Sequence, residues 1–258
     1  MTDMQTASGL ILAAGRGTRF RSEPGEPMPK LLRPVLARPM VAYVIDTLAA
    51  AGVDRIVLVV GYRAQDVISA LGDRFDYVLQ EEQKGSGHAV RCAARLFQGF
   101  AGPLIVMCGD SPLFRPQTVR EMVRVHEQTG AVAVLASAVL DDPTGYGRIV
   151  RDGNGLIVGV VEEKCASERE QAIKEVNGGA YVFDGSWLFA NIDLMAENEA
   201  GEYNLTDMVR VAIEQGPSTS SGCTVDATPC HPSELLGINT PEQSRIVEDI
   251  LRGRQTAR

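Results

Sequence analysis

Along the first 140 residues, short apolar runs alternate with helix-length periodic segments, and this order constrains the fold more than any other feature. The runs are LILAA (10–14), RIVLVVG (55–61), DYVLQ (76–80), PLIVMCGD (103–110) and AVAVLASAV (131–139). Between them, helical spacing predicts helices over 40–51, 64–71, 88–98 and 116–128. Strands separated by helices are β-α-β units, so the pattern predicts an α/β chain with a mostly parallel sheet. In the 116–128 segment, Val119, Met122, Val123 and His126 fall on one stripe behind the helix-opening RPQT. Such a stripe faces a core, which makes His126 a packing or surface residue. A chain of 258 residues, 45% of them hydrophobic, can bury one full core, and no internal repeat breaks it up.

After residue 140 the texture changes. GYGRIVRDGNGLIVGVVEEK reads as two β runs joined by a turn rich in Asp, Gly and Asn, and EVNGGAYVFDG as a further strand with a Gly-Gly break. LTDMVRVAIEQG is an amphipathic helix ending at a glycine, and PSTSSG is a loop. The segment from 140 to about 200 is expected to be a β-rich insertion laid over the open edge of the sheet.

Net charge is −8, which argues against a nucleic-acid partner or a polybasic membrane patch. Locally the balance reverses. Up to Arg38 there are six cations (Arg16, Arg19, Arg21, Lys30, Arg33, Arg38) against three acids (Asp3, Glu23, Glu26). A basic segment on an acidic body suggests a small polyanion at one site; the alternative is a solvated basic loop. Five cysteines without a C-x-x-C pair suggest neither a disulfide framework nor a zinc site and fit a reducing cytoplasm. The opening MTDMQTASG lacks the features of a signal peptide, and no apolar run approaches the ~18 residues of a membrane helix.

The basic segment begins at AAGRGTRF. Gly15 and Gly17 follow a strand, but Phe20 stands where the dinucleotide fingerprint needs its third glycine. A P-loop fails too, because Lys30 has no G-x-x-x-x-G before it and no Ser or Thr after it. What remains is a glycine loop whose backbone N–H groups can approach a triphosphate closely, supplied with Arg19 and Lys30. Arg offers a planar fork for phosphate oxygens and Lys a compact charge. The three histidines, His88, His126 and His231, are scattered and offer no Ser-His-Asp set.

LAAGRGTRF followed by PKLLRPVLARPMVAYVID, and then in order LQEEQKGSGHAV, MCGDSPL, DDPTGYGRIV, VVEEK, EVNGG, GEYNLTD and LLGIN, resembles the sugar-nucleotide pyrophosphorylases. Within that family the order and spacing are most similar to the N-terminal uridylyltransferase domain of the bacterial bifunctional enzymes that make UDP-N-acetylglucosamine. The likeness runs from about residue 9 to 250. It implies a single Rossmann-like, mostly parallel sheet of the nucleotide-diphospho-sugar transferase type with a β-rich sugar-binding insertion. The nucleotide part would span about 9–139, the sugar part about 140–240 and a C-terminal helix about 241–252. The partners implied are UTP and a sugar 1-phosphate, with Mg2+ as cofactor and the oligomeric state left open. The β-helix acetyltransferase half has no counterpart in this sequence, so acetyl-CoA chemistry is not expected.

The same resemblance assigns roles. Arg19 and Lys30 would be catalytic, on the triphosphate and the phosphorus under attack, with Ala13, Ala14, Gly15, Gly17 and Thr18 holding the nucleotide. Asp110 and Asn239 would be the magnesium ligands, with Gly109 contacting substrate beside them. Carboxylate and amide oxygens suit a hard cation that takes its other ligands from phosphates and water. Gln80, Gly85 and Ser86 correspond to the uracil-reading segment. Gly147, Glu162 and Asn177 correspond to contacts with the amino-sugar, and Thr206 to a more peripheral one.

The departures bear on specificity. Ten residues separate Arg19 from Lys30, longer than is usual in the family. Cys108, Ser86 and Gly178 stand where YGD, GTGHA and NTG are common. The serine keeps the hydroxyl, whereas Cys108 and Gly178 remove bulk or polar reach near the sugar, so the sugar is left more open than the reaction. Two alternatives stand beside the leading reading. One is a same-fold transferase for another base or sugar, against which DPTGYGRI and EVNGG argue. The other is a sensing domain without turnover, which would have little need for both metal ligands.

Overall fold

The structure is a computed structural model that describes residues 7–15, 17, 28–216 and 224–256. In chain order its strands are β1 (Ser8–Ala13), the two-residue β2 (Pro34–Val35) and β3 (Arg38–Pro39), β4 (Arg55–Val60), β5 (Asp76–Leu79), β6 (Pro103–Cys108), β7 (Ala133–Val139), β8 (Arg148–Arg151), β9 (Ile157–Val161), β10 (Glu175–Asp184) and β11 (Val225–Pro229). The helices are α1 (Met40–Ala51), α2 (Ala64–Leu71), α3 (Gly85–Ala93), α4 (Pro116–Thr129), α5 (Glu168–Gln171), α6 (Gly185–Asn191), α7 (Asp207–Gln215) and α8 (Pro241–Thr256).

The main sheet runs β11-β7-β10-β6-β1-β4-β5. The pairs β1–β4, β1–β6, β4–β5 and β11–β7 are parallel, and β10 is antiparallel to both its neighbours. Side chains alternate across it. Ile11, Leu58, Ile105 and Val182 enter one core with Val44, Leu48, Met122 and Val247 from α1, α4 and α8. Leu10, Val57, Leu104 and Phe183 enter the other with Val90, Leu188 and Met208 from α3, α6 and α7. Helix ends follow local chemistry: α1 and α4 stop at Gly52 (φ 96°) and Gly130 (φ 66°), left-handed positions that cost glycine nothing, and Pro116 opens α4 where no N–H is needed. Among the described residues no helix is long and apolar enough to cross a membrane.

The five expected strands and four expected helices form, although the 88–98 segment begins earlier, at Gly85, and its last turn tightens to a 3₁₀ helix over Ala94–Phe97. One placement differs. The stretch after 140 is not laid wholly over an open edge, because β10 sits inside the sheet between β6 and β7. Its run of Val176, Ala180, Tyr181, Val182 and Phe183 is buried on both faces, which only an interior strand allows. The hairpin β8–β9 alone lies off the main path, joined to β10 where Arg148 pairs with Val176. The PSTSSG loop lies outside the described residues.

The chain runs from β1 outward through β4 to β5 and then returns to place β6 on the other side of β1. That reversal opens a crevice at the carboxyl ends of β1 and β6, where α/β sheets bind ligands.

Candidate functional site

The crevice is built first from backbone. Gly109, just past β6, donates its N–H to Leu12 O at 3.0 Å and ties the ends of β1 and β6 together. A Cβ on Gly109 would come within 3.0 Å of Leu31. Ala13 and Ala14 are buried at the end of β1, and among the described residues nothing lies within 4 Å of where a Cβ on Gly15 would sit. Gly17 is different: its φ is +58° and a Cβ there would lie 2.7 Å from Lys30 Cβ. The glycine turn therefore packs directly on Lys30. Thr18 and Arg19, along with Arg16 and Arg21, lie outside the described residues.

Lys30 opens a 3₁₀ turn over Lys30–Leu32 and is buried. Its ammonium pairs with Asp110 Oδ2 and donates to Asn239 Oδ1 at 2.9 Å. Asp110 follows Gly109, and its carbonyl accepts from Ile238 N at 2.9 Å, which brings Asn239 alongside. Asn239 is steadied in turn as its N–H donates to Gln243 Oε1 of α8 at 2.7 Å. Three segments far apart in sequence thus deliver a cation, a carboxylate and an amide oxygen to one point. Two oxygens already converging on a cationic nitrogen are a donor set that fits Mg2+, with phosphate oxygens to complete the shell. Beside them, burial and the Asp110 carboxylate push the Cys108 thiol up to about 12 despite the nearby Lys30, so it stays protonated and inert.

At a second position, Gln80 is buried at the end of β5 and bonds through Nε2 to Gly85 O (3.1 Å) and to His88 Nδ1 (3.0 Å). Gly85 has φ +91°, and a Cβ there would lie 2.5 Å from Tyr203 O. Gly87 N donates to Tyr203 O (2.8 Å) and Leu205 N to Ser86 Oγ (2.9 Å), so the 85–87 turn is clamped to the segment leading into α7.

The third position lies around the hairpin. Glu162, at the end of β9, accepts from Thr206 Oγ1 at 2.8 Å, and the two share a cleft of about 270 Å³ with Cys165, Asn204, Asp207 and Arg210. Burial works to raise the Asp207 carboxyl, but the Arg210 guanidinium and the Ala196 N–H outweigh it and hold it below the ordinary carboxylate range. Asn177 N donates to Gly147 O at 2.8 Å. Its side chain donates to the Tyr181 hydroxyl (2.7 Å) and accepts from Gly179 N (3.1 Å). Burial raises the Tyr181 hydroxyl pKa while Asn177 lowers it, and Cys108 and Glu162 add to the rise. The hydroxyl therefore lies within electrostatic reach of the residues preceding Asp110 on one side and of the hairpin on the other.

Sequence reasoning missed three supports. His88, just after Gly85-Ser86-Gly87, bonds to Gln80 Nε2 through Nδ1, although a scattered histidine gives no sign of such a partner. Glu234, 2% exposed, accepts from Arg115 N (2.9 Å) and Thr118 Oγ1 (2.7 Å) at the start of α4 and anchors the turn that leads to Asn239. Arg148, 1% exposed, pairs with Glu163 Oε2 at 2.7 Å and holds the hairpin corner next to Glu162. Glu234 carries a local signal, the His231-Pro-Ser-Glu cap in which it accepts from His231 N at 3.3 Å, but its bonds to α4 and the Arg148–Glu163 pair reach other elements and leave no local mark.

A switch-point crevice that gathers a glycine turn, a lysine and two side-chain oxygens is the arrangement of a ligand-binding α/β protein. The nucleotidyl transferase family profile matches residues 8–226, and the chain belongs to that family. It is 40% identical over 248 residues to the bifunctional protein GlmU of Pelotomaculum thermopropionicum, covering 96% of this chain and 52% of that protein. The chain spans about half the length of the curated relatives it matches. In fold it resembles a Bacillus anthracis chain described as a glucose-1-phosphate thymidylyltransferase, solved with sucrose (TM-score 0.77, 20% identity, 95% of each chain). It also resembles a UDP-glucose pyrophosphorylase solved with UDP-glucose (TM-score 0.74, 18% identity, 96% of this chain and 99% of that one).

Proposed function

We propose that this chain couples UTP to N-acetylglucosamine 1-phosphate, releasing pyrophosphate and forming UDP-N-acetylglucosamine. The observation that carries the reading is the meeting of Lys30, Asp110 and Asn239 beside the glycine turn at the ends of β1 and β6. The identity shared with GlmU proteins along nearly the whole chain supports the choice of base and sugar.

In the proposed reaction a phosphate oxygen of the sugar phosphate attacks the α-phosphorus. A new P–O bond forms as the bond to the bridging α–β oxygen breaks, and pyrophosphate leaves with the electron pair. Such a transfer needs alignment and charge neutralisation rather than a covalent nucleophile. Ala13, Ala14, Gly15 and Gly17 let the nucleotide approach the backbone, with Thr18 assigned to the nucleotide and Arg19 to the triphosphate. Lys30 delivers its ammonium to the phosphorus under attack. Asp110 and Asn239 would hold Mg2+, which when bound neutralises triphosphate charge and orients the phosphates. Gln80, Gly85 and Ser86 face the base. Gly147, Glu162 and Asn177 receive the sugar, Glu162 accepting from a hydroxyl with Thr206 as its neighbour.

The test is pyrophosphate release across a panel of nucleoside triphosphates and sugar 1-phosphates, with Asp110→Asn as control. Turnover with UTP and an amino-sugar phosphate, lost in Asp110→Asn, is the expected result. Binding without turnover for every pair would favour a sensing domain, and turnover unaffected by Asp110→Asn would remove the metal assignment.

A further inference from the structure

The Gln80 amide has a fixed polarity, and that polarity involves a histidine outside the phosphate site. Gln80 Nε2 is 3.1 Å from Gly85 O. A carbonyl oxygen only accepts, so the atom facing it is the NH2 group and not the amide oxygen. The second hydrogen then meets His88 Nδ1 at 3.0 Å, which requires a lone pair on that nitrogen. The ring proton therefore sits on Nε2, 3.8 Å from Cys92 Sγ, a weak acceptor. Both amide hydrogens of Gln80 are thus spent inside the fold. Its Oε1 has no partner among the described residues and is not sealed from solvent.

We propose that His88, as the neutral Nε2–H tautomer, is a positioning residue that holds the Gln80 amide so that only its oxygen meets the base. The site then admits a pyrimidine carrying N3–H and refuses one carrying a lone pair at N3. Uracil and thymine belong to the first kind and cytosine to the second. The inference rests on the proposed reading that Gln80 faces the base.

A proton on Nδ1 would set N–H against N–H and break the arrangement. The groups facing His88 are Glu82 and Lys84 from the preceding turn, Arg91 and Cys92 from its own helix, and Tyr203 from the segment before α7, with ring centroids 6.4 Å apart. Burial lowers the His88 pKa most, Arg91 and Lys84 add to that, and the Glu82 carbonyl and carboxylate oppose it. The net direction is down, which keeps the ring neutral near pH 7.

The experiment measures UTP and CTP binding to the whole chain by titration calorimetry with Mg2+ present, and initial rates alongside. His88→Leu removes the acceptor; His88→Asn puts an amide oxygen near the place of Nδ1 and does not titrate. Loss of one such hydrogen bond predicts UTP binding about tenfold weaker in His88→Leu and the preference for UTP over CTP reduced by a similar factor, with kcat at saturating UTP within about twofold. His88→Asn is expected to keep most of the preference. Between pH 7 and pH 5, UTP binding should weaken more in the unsubstituted protein than in His88→Asn, where only protonation of the terminal phosphate of UTP contributes. Equal losses in the two variants, or a preference for UTP untouched by His88→Leu, would overturn this proposal alone. An unsubstituted protein that binds neither triphosphate would overturn the functional reading and this one with it.

Discussion

The two ends of the crevice are built on different principles. At the proposed phosphate end, buried Lys30 and half-buried Asp110 and Asn239 come from three distant segments and meet on backbone-tied positions at a parallel switch point. At the hairpin end, Glu162, just past the β8–β9 hairpin that joins antiparallel β10, pairs across a cleft with Thr206 at the entry to α7. The first arrangement gathers charge at strand ends that backbone hydrogen bonds tie together. The second holds a hydroxyl-to-carboxylate hydrogen bond and the Asp207–Arg210 ion pair at a periphery that can vary without disturbing the sheet.

If this contrast is right, the largest effect comes from the phosphate end. Lys30→Met should lower kcat/KM by about a thousandfold, the scale expected when a preorganised charge at a transition state is lost. A loss confined to KM would move Lys30 from catalysis to simple binding. Next is the buried support of that end. Glu234→Ala leaves Arg115 N and Thr118 Oγ1 without their acceptor and should cost about 3 kcal/mol in chemical denaturation. A cost below about 1 kcal/mol would show that water replaces the carboxylate freely. Gly85→Ala forces a side chain into φ +91° with its Cβ 2.5 Å from Tyr203 O. It should destabilise by about 2 kcal/mol, read as a lowered Tm. The smallest effect belongs to the hairpin end: Glu162→Gln should raise KM for the sugar phosphate about tenfold, with UTP binding unchanged. If UTP binding fell as well, the two ends would not be separable.

Much of this organisation was legible in the chain. The strand at 103–110 was readable because β-branched and apolar residues end in Gly-Asp, and a turn there exposes an aspartate at a strand's carboxyl end. Gly15 and Gly17 were readable as a close-approach loop, yet their separate duties were not. Among the described residues nothing crowds a Cβ at Gly15, whereas Gly17 makes room for Lys30. The insertion was misplaced for a definite reason. Hydrophobic runs report burial, and β10 is buried on both faces, but neither its antiparallel direction nor its place between β6 and β7 leaves a mark in local pattern. His88 escaped for a similar reason, since its importance lies in one nitrogen's contact with a residue in the preceding loop.

By itself, then, the sequence determined the kinds of element and the rough location of the core, because periodicity and turn chemistry are local properties of a chain. Tertiary structure alone decided that Lys30, Asp110 and Asn239 share one point, that β10 splits the parallel strands, and that Gln80 offers an oxygen rather than an N–H. Each depends on pairing and hydrogen-bond direction between segments brought together only by the sheet.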